Sequence, residues 1–206
     1  MVGIVLDCSS LIPCGRRSKR EEEAIRELGN KLYRAGCVTI YLSNRILQVY
    51  NSRLVPELNK CHPLPEFQAN LTRILPWLLK TVHGSRGFMC NLKPTKEGIK
   101  FHILESSRVS KYDVNGVGPL NEEDKEFLKV ALTSTSYHNK VFLVTLDTHF
   151  LHQLDIEELK RRYIDEMQKI SIVSPSNQRL LNTIDLLNKK HNGLEAKYCK
   201  RLVKNE

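Results

Sequence analysis

The sequence predicts an α/β protein of three layers, with helices on both sides of a central, mainly parallel sheet. Two observations carry this. Short apolar runs of strand length alternate with stretches whose apolar residues recur at helical spacing. Two of the runs, Val2–Leu6 and Val141–Leu146, are apolar without alternation, as strands buried on both faces are, and each is followed by an aspartate, Asp7 and Asp147.

The elements follow in order. In open α/β sheets the ligand crevice lies outside the carboxyl ends of the strands, so Asp7 stands at a functional edge. After a basic turn, Ser18 and Glu21 form a capping-box pattern for a helix carrying Ala24, Ile25, Leu28, Leu32 and Tyr33, with Gly36 as its stop. Residues 37–42 read as a second strand. Ser43 caps a second helix with Ile46, Leu47, Tyr50 and Leu54 on one face, which Pro56 is expected to disturb.

The middle of the chain carries less pattern. Pro56, Pro63 and Pro65 punctuate a connector, and residues 68–83 make an apolar helical face that Pro76 is expected to kink or split, with Gly84 and Gly87 beyond it. Trp77 on this helix reads as core or interface. Residues 99–103 alternate like a half-exposed strand, and residues 109–114 are the expected hairpin partner. From Leu120 the rhythm returns. Asn121 caps a helix bearing Phe127, Leu128, Ala131 and Leu132, and the strand ending at Asp147 follows. Asp155 and Glu158 open a charged helix reaching about residue 169. Ile170–Val173 is a strand, and Pro175 is expected at the first position of a helix with Leu180, Leu181, Ile184 and Leu187 inward. One domain, residues 1–188 with an insertion at about 56–119, is expected to precede a basic, partly helical extension, 189–206.

The chain has 206 residues and a net charge of +9, which favours polyanionic partners such as RNA. Six cysteines occur without a C-x-x-C pair, so free thiols in a reducing compartment are expected, and no zinc site. No apolar run reaches membrane-spanning length. The expectation is an intracellular protein with no membrane partner, cytoplasmic, with the nucleus left open. No G-x-G-x-x-G follows the first strand, which argues against a dinucleotide fold, and the ordered acidic set and late lysine of a receiver domain are missing.

Three carboxylates stand at predicted element ends: Asp7, Asp124 in the first turn of its helix, and Asp147. Gathered in one cleft they form a hard-oxygen site suited to Mg²⁺ or Mn²⁺, and a cation offsets their mutual repulsion. Alone, each aspartate reads equally as a turn or cap residue. Together with a basic surface they describe metal-assisted phosphodiester hydrolysis.

In these residues the chain resembles the PIN-domain ribonucleases, the family that includes the VapC-type toxins. Val5-Leu6-Asp7-Cys8-Ser9 resembles the family's opening strand motif. Asn121-Glu122-Glu123-Asp124 before Phe127, Leu128 and Ala131 resembles its acidic helix. Val144-Thr145-Leu146-Asp147-Thr148-His149 resembles its late strand motif, and Ile172-Val173-Ser174-Pro175 its closing segment. The resemblance spans residues 1–55 and 120–188. It implies a PIN-like fold and a metal-dependent endoribonuclease using Asp7, Asp124 and Asp147 as metal-binding and catalytic groups. Ser9 and Thr145 would be supporting hydroxyls, and Arg16, Arg17, Lys19 and Arg20 would hold RNA. Family members often pair, so a homodimer is expected, with a protein inhibitor or complex partner as the other partner class. One departure stands out. The family usually places a glutamate in the helix after the second strand, where this chain has Gln48 or Val49. Gln48 brings a hydrogen bond to a metal-bound water but no charge, and Glu57 lies beyond Pro56. The alternative implied is a catalytically weak or inactive PIN-like module that binds RNA or a protein. His149 and His152, spaced i, i+3, read as surface or capping residues before they read as a general acid.

Overall fold

The computed structural model describes residues 2–35, 38–82, 88–92 and 99–192. Gly36, Cys37, Gly84, Gly87 and residues 193–206 of the expected basic extension lie outside the described residues.

Among the described residues, six strands form one sheet: β1 (Val2–Leu6), β2 (Val38–Ser43), β3 (Phe88–Leu92), β4 (Ile99–Leu104), β5 (Val141–Val144) and β6 (Ile170–Val173). Their spatial order is β3-β4-β2-β1-β5-β6, and all neighbours run parallel except β3 against β4. Helices flank the sheet, giving the expected α/β architecture of three layers. From β1 the chain proceeds to β2 on one side, and from β5 to β6 on the other, so the strand order reverses between β1 and β5. Such a switch point opens a crevice beyond the carboxyl ends of the two strands. Register decides what fills it. Leu6 pairs with Val144, which sets Asp7 opposite Thr145, and the Asp7 N–H donates to the Val144 carbonyl at 2.9 Å.

Burial follows the apolar pattern. All five residues of β1 and all four of β5 are buried. Helix α1 (Lys19–Tyr33) starts at the expected Ser18–Glu21 capping box and buries Ala24, Ile25, Leu28 and Leu32. Each of the fully buried Ile25, Leu28 and Leu32 side chains contributes about 1.5–3 kcal/mol. Helix α6 (Glu122–Ser134) packs on β1, β2 and β5 and buries Phe127, Leu128, Ala131 and Leu132.

The prolines behave differently from expectation. Helix α2 (Asn44–Val49) passes through a π-helical turn, Tyr50–Leu54, into α3 (Val55–Leu58) without a break. Val55 N–H reaches the Tyr50 carbonyl, and Pro56 falls in the first turn after this widening, where an amide hydrogen is dispensable. Helix α4 (Glu66–Thr81) runs unbroken through Pro76, with Leu71, Leu75 and Leu78 buried on either side of it. Trp77 is 49% exposed, which removes it from the core.

Three further expectations are corrected. The partner of β4 is β3, while residues 109–114 begin at the end of a short helix, α5 (Ser106–Val109). The charged helix stops early: α7 (Thr148–His152) and α8 (Ile156–Arg162) precede a break at Tyr163, then α9 (Ile164–Met167). The Tyr163 hydroxyl accepts from Asp113 N at 2.7 Å and donates to its carbonyl at 2.9 Å, a tertiary anchor that periodicity cannot reveal. Pro175 lies in a turn, and α10 (Gln178–Asn192) begins at Asn177, whose side chain accepts from Leu180 N at 3.0 Å.

The thiol expectation also fails. Cys14 and Cys61 form a disulfide across a sequence separation of 47, with Cα atoms 5.6 Å apart. Cysteines so distant carry no spacing signature. Cys8 is free.

Candidate active site

Asp7 directly follows β1, and its carboxylate is held by residues just beyond the ends of β1 and β5. Thr145 donates its hydroxyl to Asp7 Oδ2 at 2.8 Å, and Ser9 donates to the same oxygen. The two hydroxyls lie 3.3 Å apart. Ser9 Oγ also accepts from Leu146 N at 2.8 Å, and Thr145 Oγ1 accepts from Asp147 N at 2.9 Å. This lattice fixes the turn after β5 against the turn after β1. Asp147 follows as N-cap of α7, accepting from His149 N at 2.8 Å. Asp124 sits at the third position of α6 in a reciprocal capping box: Asn121 Oδ1 accepts from Asp124 N at 3.0 Å, and Asp124 Oδ2 accepts from Asn121 N at 3.2 Å.

Among the described residues, Asp124, Asp147 and His149 each offer a ligand atom, and these lie within 4.8 Å of one another. Asp7 adjoins them electrostatically. Burial pushes its carboxyl pKa up, the Ser9 and Thr145 hydroxyls act against that, and the charge of Asp147 adds to the rise. Asp124 is raised as well, first by burial, then by the fields of Asp147 and Asp7, with the Asn121 N–H and His149 opposing. Like charges crowded in a cleft call for a cation or a shared proton. Two carboxylates suit Mg²⁺ and Mn²⁺, and the imidazole tilts the set toward first-row transition cations. The donors thus fit a divalent metal.

The supporting residues divide. Ser9 and Thr145 join the site as hydroxyl donors. Gln48 is exposed on α2. Glu57 does follow on the continuing helix, but its side chain is half exposed and pairs with Lys60 at 2.5 Å. Neither brings the sequence's missing carboxylate to the cluster. Of the four basic residues, Arg16, Lys19 and Arg20 are exposed, whereas Arg17 is partly buried. Burial lowers the Arg17 pKa, and the fields of Glu21, Asp7 and Glu22 counter it.

Residues that the sequence left in the background complete the surroundings. His149 belongs to the cluster, and the Asp147-Thr148-His149 spacing at a strand end was its signal. Tyr50 donates its hydroxyl to the Leu6 carbonyl and so braces β1 just before Asp7. Arg53 pairs with Glu123 at 2.5 Å. Burial, then the charges of Asp7 and Glu123, push the Cys8 thiol pKa up, which disfavours its thiolate.

Comparisons with family models, with curated proteins and with solved structures returned no match. Among the described residues, no helix is long and apolar enough to cross a membrane.

Proposed function

We propose that the chain is a metal-dependent endoribonuclease of the PIN type, hydrolysing RNA phosphodiesters at the switch-point cleft. The single observation that carries this reading is the convergence of Asp124, Asp147 and His149 within 4.8 Å, beside a buried Asp7. Asp124, Asp147 and His149 would hold Mn²⁺ or Mg²⁺, with Asp7 as the adjoining charge. A bound cation of this kind lowers the pKa of a coordinated water and offsets charge on a phosphate. The chain's own residues supply the geometry. Thr145 and Ser9 hold the Asp7 carboxylate in one orientation. Asp147 is fixed by its cap to α7, and Asp124 by its cap to α6. The net charge of +9 attracts the polyanion.

A second reading, an RNA-binding or protein-binding module with little catalysis, is favoured by one observation. The helix after β2 brings no carboxylate to the cleft, since Gln48 is exposed and Glu57 is paired with Lys60. A homodimer, and a protein inhibitor or complex partner, remain part of the proposal with either reading.

The deciding experiment is cleavage of a mixed panel of labelled RNAs with Mn²⁺, with Mg²⁺ and with EDTA, beside Asp7→Asn and Asp147→Asn. Metal-dependent cutting lost in both variants is the expected result. Salt-sensitive RNA binding without cutting, unchanged in both variants, would establish the module instead.

A further inference from the structure

The flank of the cleft formed by α2 and the π-turn after it brings no carboxylate; what it brings is basic. Side chains lace this flank to the start of α6, the helix that supplies Asp124. Ser43 Oγ donates to Glu126 Oε1 at 2.5 Å, Arg45 Nη1 lies 3.9 Å from Glu122 Oε2, and Arg53 Nη1 donates to Glu123 Oε2 at 2.5 Å. Glu123 directly precedes Asp124, a step of about 3.8 Å between Cα atoms. The π-turn that carries Arg53, Tyr50–Leu54, also packs on the short turn Cys8–Ser10 that follows Asp7. Its Tyr50 hydroxyl donates to the carbonyl of Leu6, the residue before Asp7. Packing on one side and an ion pair on the other thus set Arg53 between the end of β1 and the start of α6, which supply Asp7 and Asp124. π-Turns inside helices are rare and recur at functional sites. The Arg53 side chain is 67% exposed, and among the described residues it makes no hydrogen bond besides that to Glu123, so most of its planar fork is open to a second anion.

We infer that Arg53 is the phosphate-gripping residue of the cleft, parked on Glu123 until a substrate phosphate takes the carboxylate's place. This rests on the reading that the cleft takes an RNA phosphodiester. A guanidinium suits the task because its fork pairs two phosphate oxygens at once. Parking serves the free protein in two ways. It holds a long, exposed side chain at the rim of the cleft, and it offsets one of the negative charges that would repel an approaching polyanion. The exchange costs little, because an exposed ion pair of this kind adds little stability, and the displaced Glu123 carboxylate returns to water.

The test measures affinity for a labelled single-stranded polyuridylate across a salt series, once in EDTA and once in Ca²⁺, which takes oxygen ligands as Mg²⁺ does. The panel comprises the native chain, Arg53→Gln, Arg53→Lys, Glu123→Gln, the Arg53→Gln/Glu123→Gln double variant and Arg161→Gln. Arg161 is the charge control, an exposed arginine in a similar ion pair with Glu158 on α8. Thermal melts accompany each sample, and Arg53→Lys keeps the charge should Gln disturb the turn. Arg53→Gln should weaken binding by roughly tenfold, the scale of one charge-assisted contact. The slope of log affinity against log salt should fall by about 0.7, one phosphate contact on a single strand. Arg53→Lys should keep the slope and lose affinity with the fork. Arg161→Gln should leave both near their native values. Glu123→Gln should tighten binding by about threefold, the scale of an exposed ion pair, and that gain should vanish in the double variant. An Arg53→Gln no weaker than Arg161→Gln, or a Glu123→Gln gain that survives the loss of Arg53, overturns the grip while leaving RNA binding intact. No binding by any form in either condition overturns the phosphodiester reading, and the grip with it.

Discussion

Thr145 Oγ1 donates to Asp7 Oδ2 at 2.8 Å across two adjacent parallel strands, and the same oxygen atom of Thr145 accepts from Asp147 N at 2.9 Å. One hydroxyl therefore orients one acidic residue and positions the backbone of another. Thr145→Val keeps the shape and removes both bonds. It should leave a buried carboxylate short of a donor, at a cost of about 1–3 kcal/mol in stability at neutral pH. Asp7 should also titrate higher, so the acidic limb of a pH–cleavage profile should move to higher pH. An unmoved limb would separate Thr145 from the chemistry.

The Asp7 carboxyl has a raised pKa in the folded protein. The folded chain therefore holds that proton more tightly than the unfolded chain. The associated stability is present below the ordinary carboxyl pKa and is lost as pH rises through the raised folded value. Above that value the full penalty applies, so Asp7→Asn should stabilise the metal-free protein and raise its Tm. Added Mn²⁺ should raise the Tm of the native protein and do much less for the variant. Scanning calorimetry with and without EDTA reads both effects.

His149 adds an imidazole to two carboxylates. His149→Ala should reduce Mn²⁺ affinity by roughly tenfold and narrow the preference for Mn²⁺ over Mg²⁺. Isothermal titration with each metal measures this directly, and an unchanged ratio would remove His149 from the ligand set.

A separate acid sensitivity lies outside the cluster. His138 is buried against Tyr41, and its pKa is pushed down to about 4, first by burial and further by the N-terminal amine, His102 and Lys100. The unfolded chain binds the proton more readily, so the neutral ring's contribution is full above about pH 6.5 and is lost as pH falls toward 4. The native protein should lose about 2 kcal/mol over that window, after allowance for solvent screening. His138→Phe should flatten this part of a urea-denaturation series against pH.

The same histidine explains a glycine. A Cβ on Gly3 would lie 2.9 Å from His138 Cδ2 and 3.1 Å from Tyr41 Cε2. Gly3→Ala should cost about 1–3 kcal/mol by overpacking, and clearly less in a His138→Ala background. A double-mutant cycle by denaturant titration gives the coupling.

Much of this arrangement was legible in the sequence, for physical reasons. Strands β1 and β5 are buried on both faces, so their composition alone marked them, and register then carried Asp7 and Asp147 to one edge. The caps at Ser18, Asn121 and Asp147 depend on side chains one to three residues away, which local reading resolves. What stayed hidden depends on distant parts of the chain. The pairing of β4 with β3, the anchor of Tyr163 on Asp113, and the Cys14–Cys61 bond have no local signature. Pro56 misled because a π-turn before it removed the need for its missing donor, and Pro76 because buried Leu75 and Leu78 hold the helix on both sides of it.

The capping bonds of Asp124 and Asp147 have an evolutionary consequence. Each carboxylate closes the start of a helix as well as facing the cleft, so a descendant that abandoned its chemistry would still be selected to keep both. The Asp7 side chain caps no helix, and the hydroxyls of Ser9 and Thr145 that it accepts could be met by a neutral amide oxygen. The charge of Asp7 is unfavourable where it stands, and drift would exchange it for a neutral residue as soon as catalysis ceased to matter. Position 7 is therefore where retained or discarded activity would be written in a lineage of this fold.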